Sequence, residues 1–170
     1  MRRLTLMRHA DARVKDHGVS DLERPLSRRG LSAAETMAQR LAELELVPDL
    51  ILVSPARRAQ QTAEIVAKEL SVPSRRVLRE EGLYLGSATD LLGVVQGTGP
   101  RIGHLLLVAH NPGVSELMKL LVPRGAGAGL APGAFCSISF DAPDWPGITA
   151  KVATDVKRES PPRRFFGLFA

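Results

Sequence analysis

Three short apolar segments recur along this chain, and an amphipathic segment follows each of them. The apolar segments are residues 4–7, 49–53 and 104–109. Runs of this length with few polar residues are typical of strands that are covered on both faces of a sheet. Because strands and helices alternate through most of the chain, the order predicts an α/β fold: a three-layer α/β/α sandwich with a mostly parallel central sheet.

Helix starts in this sequence are marked by residues that cap helices. Ser27 is predicted as the N-cap of a first helix, and another helix start is predicted at residues 87–90. Ser54 directly follows the second apolar segment, Asn111 is the second residue after the third, and a proline follows each, so both are predicted as N-caps with proline in the first helical turn. The spacing of apolar residues predicts which side chains of the three capped helices face inwards. They are Leu31, Ala34, Met37, Ala38, Leu41 and Leu44; Ala59, Ala63, Val66 and Leu70; and Val114, Leu117, Leu120 and Leu121.

Later segments are predicted to complete the sheet. A short strand is expected at residues 75–78, and two final strands are expected at residues 135–140 and 148–156. With 170 residues and 44% hydrophobic content, the chain is long enough for one domain with a sizeable core. We therefore expect a single domain over residues 1–159, followed by a basic tail over residues 160–170.

The composition also excludes several classes of protein. The amino terminus lacks an apolar signal core and no apolar run approaches the ~20 residues that span a bilayer, so we expect no membrane association and a cytoplasmic location. The net charge of +5 would suit an anionic partner, but aromatic residues are only 4% of the chain, which disfavours nucleic acid as that partner. Cys136 is the single cysteine and no Cys/His spacing suggests a zinc site, so no disulfide, metal or cofactor is expected.

Charged and imidazole side chains stand where the apolar segments end. Arg8 and His9 follow the first segment, Arg57 and Arg58 lie on the helix after the second, and His110 follows the third. In a parallel sheet such strand ends meet at one edge, where ligands bind. An imidazole can act as a nucleophile, a guanidinium fork binds phosphate, and the free N–H groups of helix starts favour anions. The arrangement therefore predicts a phosphate-binding pocket.

Four segments of the sequence match the motifs of one family in order and spacing. They are LTLMRHADA, RPLSRRG, SPARRAQQT and LLLVAHNPGVSEL, and the matched region runs from residue 4 to about residue 121. Together they resemble the histidine phosphatase superfamily, and specifically its short, SixA-like phosphohistidine phosphatase branch. In that branch Ala commonly stands where larger relatives have Gly after the Arg-His pair. Four matches in the same order and spacing are far more specific to one family than a single match.

The resemblance implies a role for each residue of the predicted pocket. It implies that His9 is the nucleophile that becomes phosphorylated, and that Arg8, Arg58 and His110 bind the phosphoryl group. Arg58 rather than Arg57 matches, because it stands directly before the A-x-Q-T part of the motif. Fixed cationic donors can stabilise the charge on the transferred phosphoryl oxygens without a metal ion. For attack, His9 must be neutral, with its other ring nitrogen held by an acceptor such as a backbone carbonyl.

The acid that protonates the leaving group is the residue for which the resemblance is least informative. Larger members of the superfamily carry a carboxylate for this step, and the SixA-like branch lacks a uniform equivalent. Glu81 is preferred here because it adjoins the Gly-Leu-Tyr segment at residues 82–84. The alternatives that stay open are Glu80, Asp11 and a reaction without a general acid. Arg24 is expected either to assist binding or to form an ion pair within its loop.

The leading hypothesis is a metal-independent phosphatase that acts on phosphohistidine of a protein, such as a phosphorelay domain or a phosphotransferase carrier, through a covalent intermediate on His9. A small-molecule phosphatase acting on a sugar phosphate or nucleotide is the second hypothesis, and a non-catalytic phospho-binding module is the third. Phosphohistidine releases imidazole, a better leaving group than an alkoxide, so its cleavage depends less on a general acid. The segments between the matched motifs are also too short for a large lid, which favours a protein substrate.

Overall fold

A single sheet forms the centre of the computed structural model, which describes residues 1–165. Its strands are β1 (Arg2–Arg8), β2 (Leu50–Val53), β3 (Val77–Arg79), β4 (His104–Ala109), β5 (Phe135–Phe140) and β6 (Ala153–Glu159). They lie in the order β3-β2-β4-β1-β5-β6. The first four strands of the chain pair in parallel, whereas β5 and β6 are antiparallel to their neighbours. The predicted mostly parallel sheet is confirmed.

Helices pack on both faces of this sheet. They are α1 (Arg28–Glu43), α2 (Arg57–Glu69), α3 (Ala88–Gln96) and α4 (Gly113–Leu121). The helices α1 and α2 share one hydrophobic core with Leu106 of β4, and α3 and α4 share the other with Leu105 of the same strand. Because successive residues of a strand point to opposite faces, β4, which is buried along its whole length, supplies both cores. The predicted three-layer sandwich is confirmed.

One of the three predicted N-caps is observed at a helix start. The Ser27 hydroxyl accepts a hydrogen bond from the backbone N–H of Gly30 at 3.0 Å and caps α1 as predicted. Ser54 and Asn111 do not cap helices, because α2 begins only at Arg57 and α4 also begins later than expected, both without a side-chain cap. The Ser54 and Asn111 side chains instead form hydrogen bonds at the strand ends, where the candidate site lies.

Most residues predicted to face inwards are buried, but Leu44 is only half-buried and two other leucines are exposed. Leu31 is 38% exposed and Leu120 is 50% exposed. Each lies one position away from a buried residue of its helix, Gly30 in α1 and Leu121 in α4. Successive residues are turned by about 100° around a helix, so an offset of one position moves a side chain from the core towards solvent.

The carboxyl-terminal part of the chain departs from its predicted boundaries. The strand expected at residues 148–156 begins only at Ala153, because Ile148 and Trp145 are fully buried in the core outside any strand. Cys136 is buried in β5, as predicted for a small apolar residue. In the predicted tail, Arg163–Phe165 form a short 3-10 turn, and residues 166–170 lie outside the described residues, so the domain boundary stays a prediction. No helix of the described chain is long and apolar enough to cross a membrane.

Gly30 allows α1 to approach the loop that follows β1. A Cβ atom at this position would lie 1.9 Å from the carbonyl oxygen of Asp11. The same oxygen accepts a hydrogen bond from the backbone N–H of Ser27 at 2.9 Å, so the helix start and the loop are held together. Glycine is a poor helix former, and here a tertiary contact rather than helix propensity requires it.

Gly30→Ala is expected to lower the free energy of unfolding by about 1–3 kcal/mol, because the added methyl group forces α1 away from the loop. Gly93→Ala is the matched control, since Gly93 also lies inside a helix but a Cβ there would meet no atom within 4 Å. This control should gain about 0.5–1 kcal/mol of stability from its better helix propensity. Urea denaturation of both variants measures the difference, and equal effects would contradict the close approach.

Candidate active site

The carboxyl ends of β1, β2 and β4 open into one cavity of about 490 Å³. The parallel registers of these strands end nearly level with one another, so the residues that follow them converge. The cavity is lined by Arg8, His9, Asp11, Ala12, Asp21, Arg24, Arg58, Leu85, His110, Asn111 and Pro132. The structure therefore brings together four residues that the sequence analysis singled out, namely Arg8, His9, Arg58 and His110.

His9 is held in one neutral form at the end of β1. Its Nδ1 lies 2.7 Å from the carbonyl oxygen of Ala10, which can only accept a hydrogen bond, so Nδ1 carries the proton and Nε2 keeps its lone pair. The pKa of His9 is lowered to about 3, mainly by burial and also by the neighbouring His110, Arg58 and Arg8, against the raising effect of the Ala10 hydrogen bond. His9 is therefore neutral near pH 7 and presents an unprotonated nitrogen.

Arg8 supplies donors beside this imidazole. Its Nη1 donates a hydrogen bond to the carbonyl oxygen of Leu130 at 3.2 Å, which holds the guanidinium against the cavity wall. Its Nε is buried and has no hydrogen-bond partner among the described residues. Burial lowers the pKa of Arg8, with a smaller opposing effect from Asp11. Because Arg8 lines the cavity, its guanidinium can donate to an anion bound there.

Arg58 is the most buried of the three arginines that line the cavity, with 3% of its surface exposed. Its Nη1 donates to the backbone carbonyl of Asp21 at 2.8 Å, and its Nη2 donates to the Asp21 carboxylate at 3.0 Å and to Nδ1 of His110 at 3.3 Å. Its Nε, like that of Arg8, lacks a partner in the described part of the chain. The adjacent Arg57 is exposed and does not line the cavity, so the two arginines of α2 are separated as predicted.

His110 is also held in one neutral form. A guanidinium can only donate, so Nδ1 of His110 accepts from Arg58 and the proton lies on Nε2, which donates to the Ser54 hydroxyl at 2.6 Å. The pKa of His110 is lowered to about 4, mainly by burial and then by the charge of Arg58, against a raising effect of Asp21. The His110 and His9 ring centroids are 5.0 Å apart. Sequence reasoning interpreted Ser54 as a helix cap and missed this contact, because the partner lies 56 residues away.

Asp21 is the cavity residue that sequence reasoning missed. Its Oδ2 accepts hydrogen bonds from Arg58 at 3.0 Å and from the Tyr84 hydroxyl at 2.8 Å, and its Oδ1 accepts from Arg24 at 3.2 Å. Burial, the largest single influence, raises the pKa of Asp21, but the hydrogen bonds from Tyr84, Arg58 and Arg24 together outweigh it and hold the pKa at about 2. Arg24 forms the expected ion pair within its loop and also lines the cavity, and its assistance to binding stays a prediction.

The structure does not bring Glu81 to the cavity. Its side chain is 71% exposed and forms an ion pair with Arg79 at 2.7 Å. The 3-10 turn Glu81–Leu83 begins there, and Glu80 caps this turn by accepting from the N–H of Gly82 at 3.1 Å. The turn leaves Glu81 in solvent and instead delivers Tyr84 to the Asp21 carboxylate. The expected general acid therefore has no geometric support at either glutamate.

Asp11 and Asn111 line the cavity but are engaged by their neighbours. The Asp11 carboxylate accepts hydrogen bonds from the Ser27 hydroxyl at 2.6 Å and from Arg29 at 3.3 Å. The Asn111 amide donates to the Leu130 carbonyl at 2.9 Å, the same oxygen that holds Arg8. Asn111 thus fastens the cavity wall rather than a helix start. Among the described residues, no three His, Cys, Asp or Glu side chains are grouped so that they could hold a metal ion.

Comparisons with known proteins agree with this geometry. A family model described as histidine phosphatase superfamily (branch 1) matches residues 4–84. Phosphohistidine phosphatase SixA of Escherichia coli (strain K12) is 30% identical over 137 residues, which cover 80% of this chain and 84% of SixA. The protein histidine phosphatase SixA in complex with tungstate has a structure similar to this one, with a TM-score of 0.77 at 27% identity, covering 94% of this chain and 97% of that one.

A more distant structure shares the fold alone. The mycobacterial glucosyl-3-phosphoglycerate phosphatase superposes with a TM-score of 0.64 at 17% identity, covering 94% of this chain and 97% of its own. The SixA relative at 30% identity and the matched family model establish that the chain belongs to the histidine phosphatase superfamily, and the tungstate-bound SixA structure at 27% identity agrees that it is SixA-like. It is a phosphatase, a hydrolase that acts on phosphorylated substrates.

Proposed function

We propose that this protein removes phosphate from phosphohistidine of a protein, through a covalent phosphohistidine on His9. The observation that carries the proposal is the state of the His9 ring. The ring is neutral, the Ala10 carbonyl holds its Nδ1 proton, and its Nε2 lone pair is available for attack. The E. coli relative SixA is a phosphohistidine phosphatase, which supports the same chemistry here.

The proposed reaction has two displacements at phosphorus. In the first, Nε2 of His9 forms a bond to phosphorus as the bond from phosphorus to the substrate imidazole breaks. The departing nitrogen keeps the electron pair, and a proton on the other ring nitrogen makes the leaving group neutral imidazole. In the second, water attacks phosphorus, the bond to Nε2 breaks, and inorganic phosphate leaves. Arg8 and Arg58 stabilise the charge on the phosphoryl oxygens in both steps, and His110 stands beside them with its ring nitrogens engaged by Arg58 and Ser54.

The carboxylates of the cavity support phosphohistidine, rather than a phosphate ester, as the substrate. Asp21 and Asp11 accept hydrogen bonds from the guanidinium groups of Arg58 and Arg29, and the pKa of Asp21 is about 2. An ionised carboxylate has no proton to donate to the alkoxide of a sugar phosphate. Imidazole is a better leaving group and needs no such donor, so the cavity suits a phosphoramidate bond.

The test is a comparison of specificity constants for three substrates: a protein domain phosphorylated on histidine, phosphoramidate, and an alkyl phosphate monoester. We expect kcat/KM to be highest for the phosphorylated protein and lowest for the monoester. Activity should persist in excess chelator, and vanadate should inhibit as an analogue of the transferred group. A sugar phosphate or nucleotide with the highest kcat/KM would overturn the proposal in favour of a small-molecule phosphatase.

The same assay tests the role first assigned to Glu81. Because the Glu81 carboxylate is exposed and paired with Arg79, Glu81→Gln should change none of the three specificity constants. A loss confined to the monoester would restore Glu81 as the general acid.

A further inference from the structure

Asp21 is the cavity residue whose position the proposed chemistry leaves unexplained. Its carboxylate lies 3.0 Å from the Arg58 guanidinium and 3.2 Å from that of Arg24, and the Tyr84 hydroxyl donates to it at 2.8 Å. The backbone carbonyl of Asp21 holds the same Arg58 at 2.8 Å. A negative charge is therefore built into the group of cations that would hold the phosphoryl oxygens.

The charges that line the cavity nearly balance. Its wall carries the guanidinium groups of Arg8, Arg24 and Arg58 and the carboxylates of Asp11 and Asp21. Both imidazoles of the cavity are neutral near pH 7, because their pKa values are about 3 and about 4. The net charge of the wall is thus +1. Such a wall attracts one phosphoryl group but leaves little positive charge to neutralise a second anionic group on the same ligand.

We propose that Asp21 determines the class of substrate by offsetting one arginine of the cavity. The site then accepts a single phosphoryl group on a neutral or cationic carrier, such as the imidazole of phosphohistidine. It discriminates against polyanions such as nucleotides and bisphosphates. This inference rests on the phosphoryl-binding role of the cavity in the proposed function. Asp21 acts through charge and through the position of Arg58, and it does not touch the bond that breaks.

The test measures the affinity of two inorganic anions by calorimetric titration, which does not require turnover. Orthophosphate is the single phosphoryl group, and pyrophosphate is the ligand with additional negative charge. Asp21→Asn keeps the shape and one hydrogen-bond acceptor of the side chain but removes its charge. We expect the preference for pyrophosphate over orthophosphate to rise about tenfold in this variant, with a smaller rise at high salt.

Tyr84→Phe is the matched control, because it removes one hydrogen bond to Asp21 without changing any charge. The ratio of the two affinities should stay at its original value in this control. An unchanged ratio in Asp21→Asn, or an equal rise in Tyr84→Phe, would overturn the inference while leaving the proposed function intact. Failure of the unmodified protein to bind orthophosphate at all would instead contradict the proposed function.

Discussion

His9→Ala is expected to abolish covalent labelling and to lower turnover on the order of ten-thousandfold, because the variant has no nucleophile at the end of β1. Brief incubation with a labelled phosphoryl donor, followed by quenching, should leave an acid-labile and base-stable phosphate on the unmodified protein. The same treatment should leave no label on His9→Ala. Quantification of label and of phosphate release measures both effects.

His17→Ala is the control for this experiment, because His17 is an exposed histidine on a surface loop outside the cavity. It should keep both the label and the turnover of the unmodified protein. Orthophosphate binding to His9→Ala would show that the cavity still forms without the imidazole. Turnover that survives in His9→Ala would exclude the covalent mechanism.

Arg58→Ala should lower kcat/KM about a hundredfold, the usual effect of removing a donor that stabilises transition-state charge. Arg58 is almost completely buried and lines the cavity, so its guanidinium is held where the transferred group would bind. Arg58→Lys should recover only part of the loss, because an ammonium group keeps the charge but cannot reproduce the planar fork. Steady-state kinetics with phosphoramidate as the substrate gives kcat/KM for the unmodified protein and for the two variants.

The neighbouring arginine of α2 provides a matched comparison. Arg57 is exposed, so Arg57→Ala removes the same charge from the protein but no donor from the cavity. We expect kcat/KM to change less than about twofold. Equal losses for the two alanine variants would mean that net charge, and not the position of Arg58, accounts for the effect.

The elements that the sequence predicted well are those with a strong local signal. The strand at residues 104–109 matches β4, because a continuous apolar run leaves few other structures possible, and the strand at residues 135–140 matches β5, where Ser137 and Ser139 alternate with apolar residues. The N-cap at Ser27 is local as well, since its partner Gly30 is three residues away. The first residues of α2 and α4 were predicted too early, because Ser54 and Asn111 have cap-like chemistry but tertiary partners.

The cavity shows the same division between local signal and tertiary contact. Arg8, His9 and His110 could be assigned to one pocket because Arg8 ends β1, and His9 and His110 directly follow β1 and β4, whose ends must reach the same edge of the sheet. Glu81 was preferred from its neighbours in the sequence, yet the turn that begins there directs it to solvent. Local sequence could not reveal this, because the direction of a loop side chain depends on what packs beneath the loop.

By itself, the sequence determined the alternation of strands and helices and hence the edge at which a nucleophile and its cations would meet. The spacing of apolar residues and the lengths of the strands encode both of these features. Neither signal depends on residues that are distant in the sequence. Only the tertiary structure decided that Asp21 pairs with Arg58, 37 residues further on, and that Ser54 holds His110. These contacts join loops and strand ends that are remote in sequence. Which polar groups meet there depends on how the two helical layers pack on the sheet, and no local pattern carries that information.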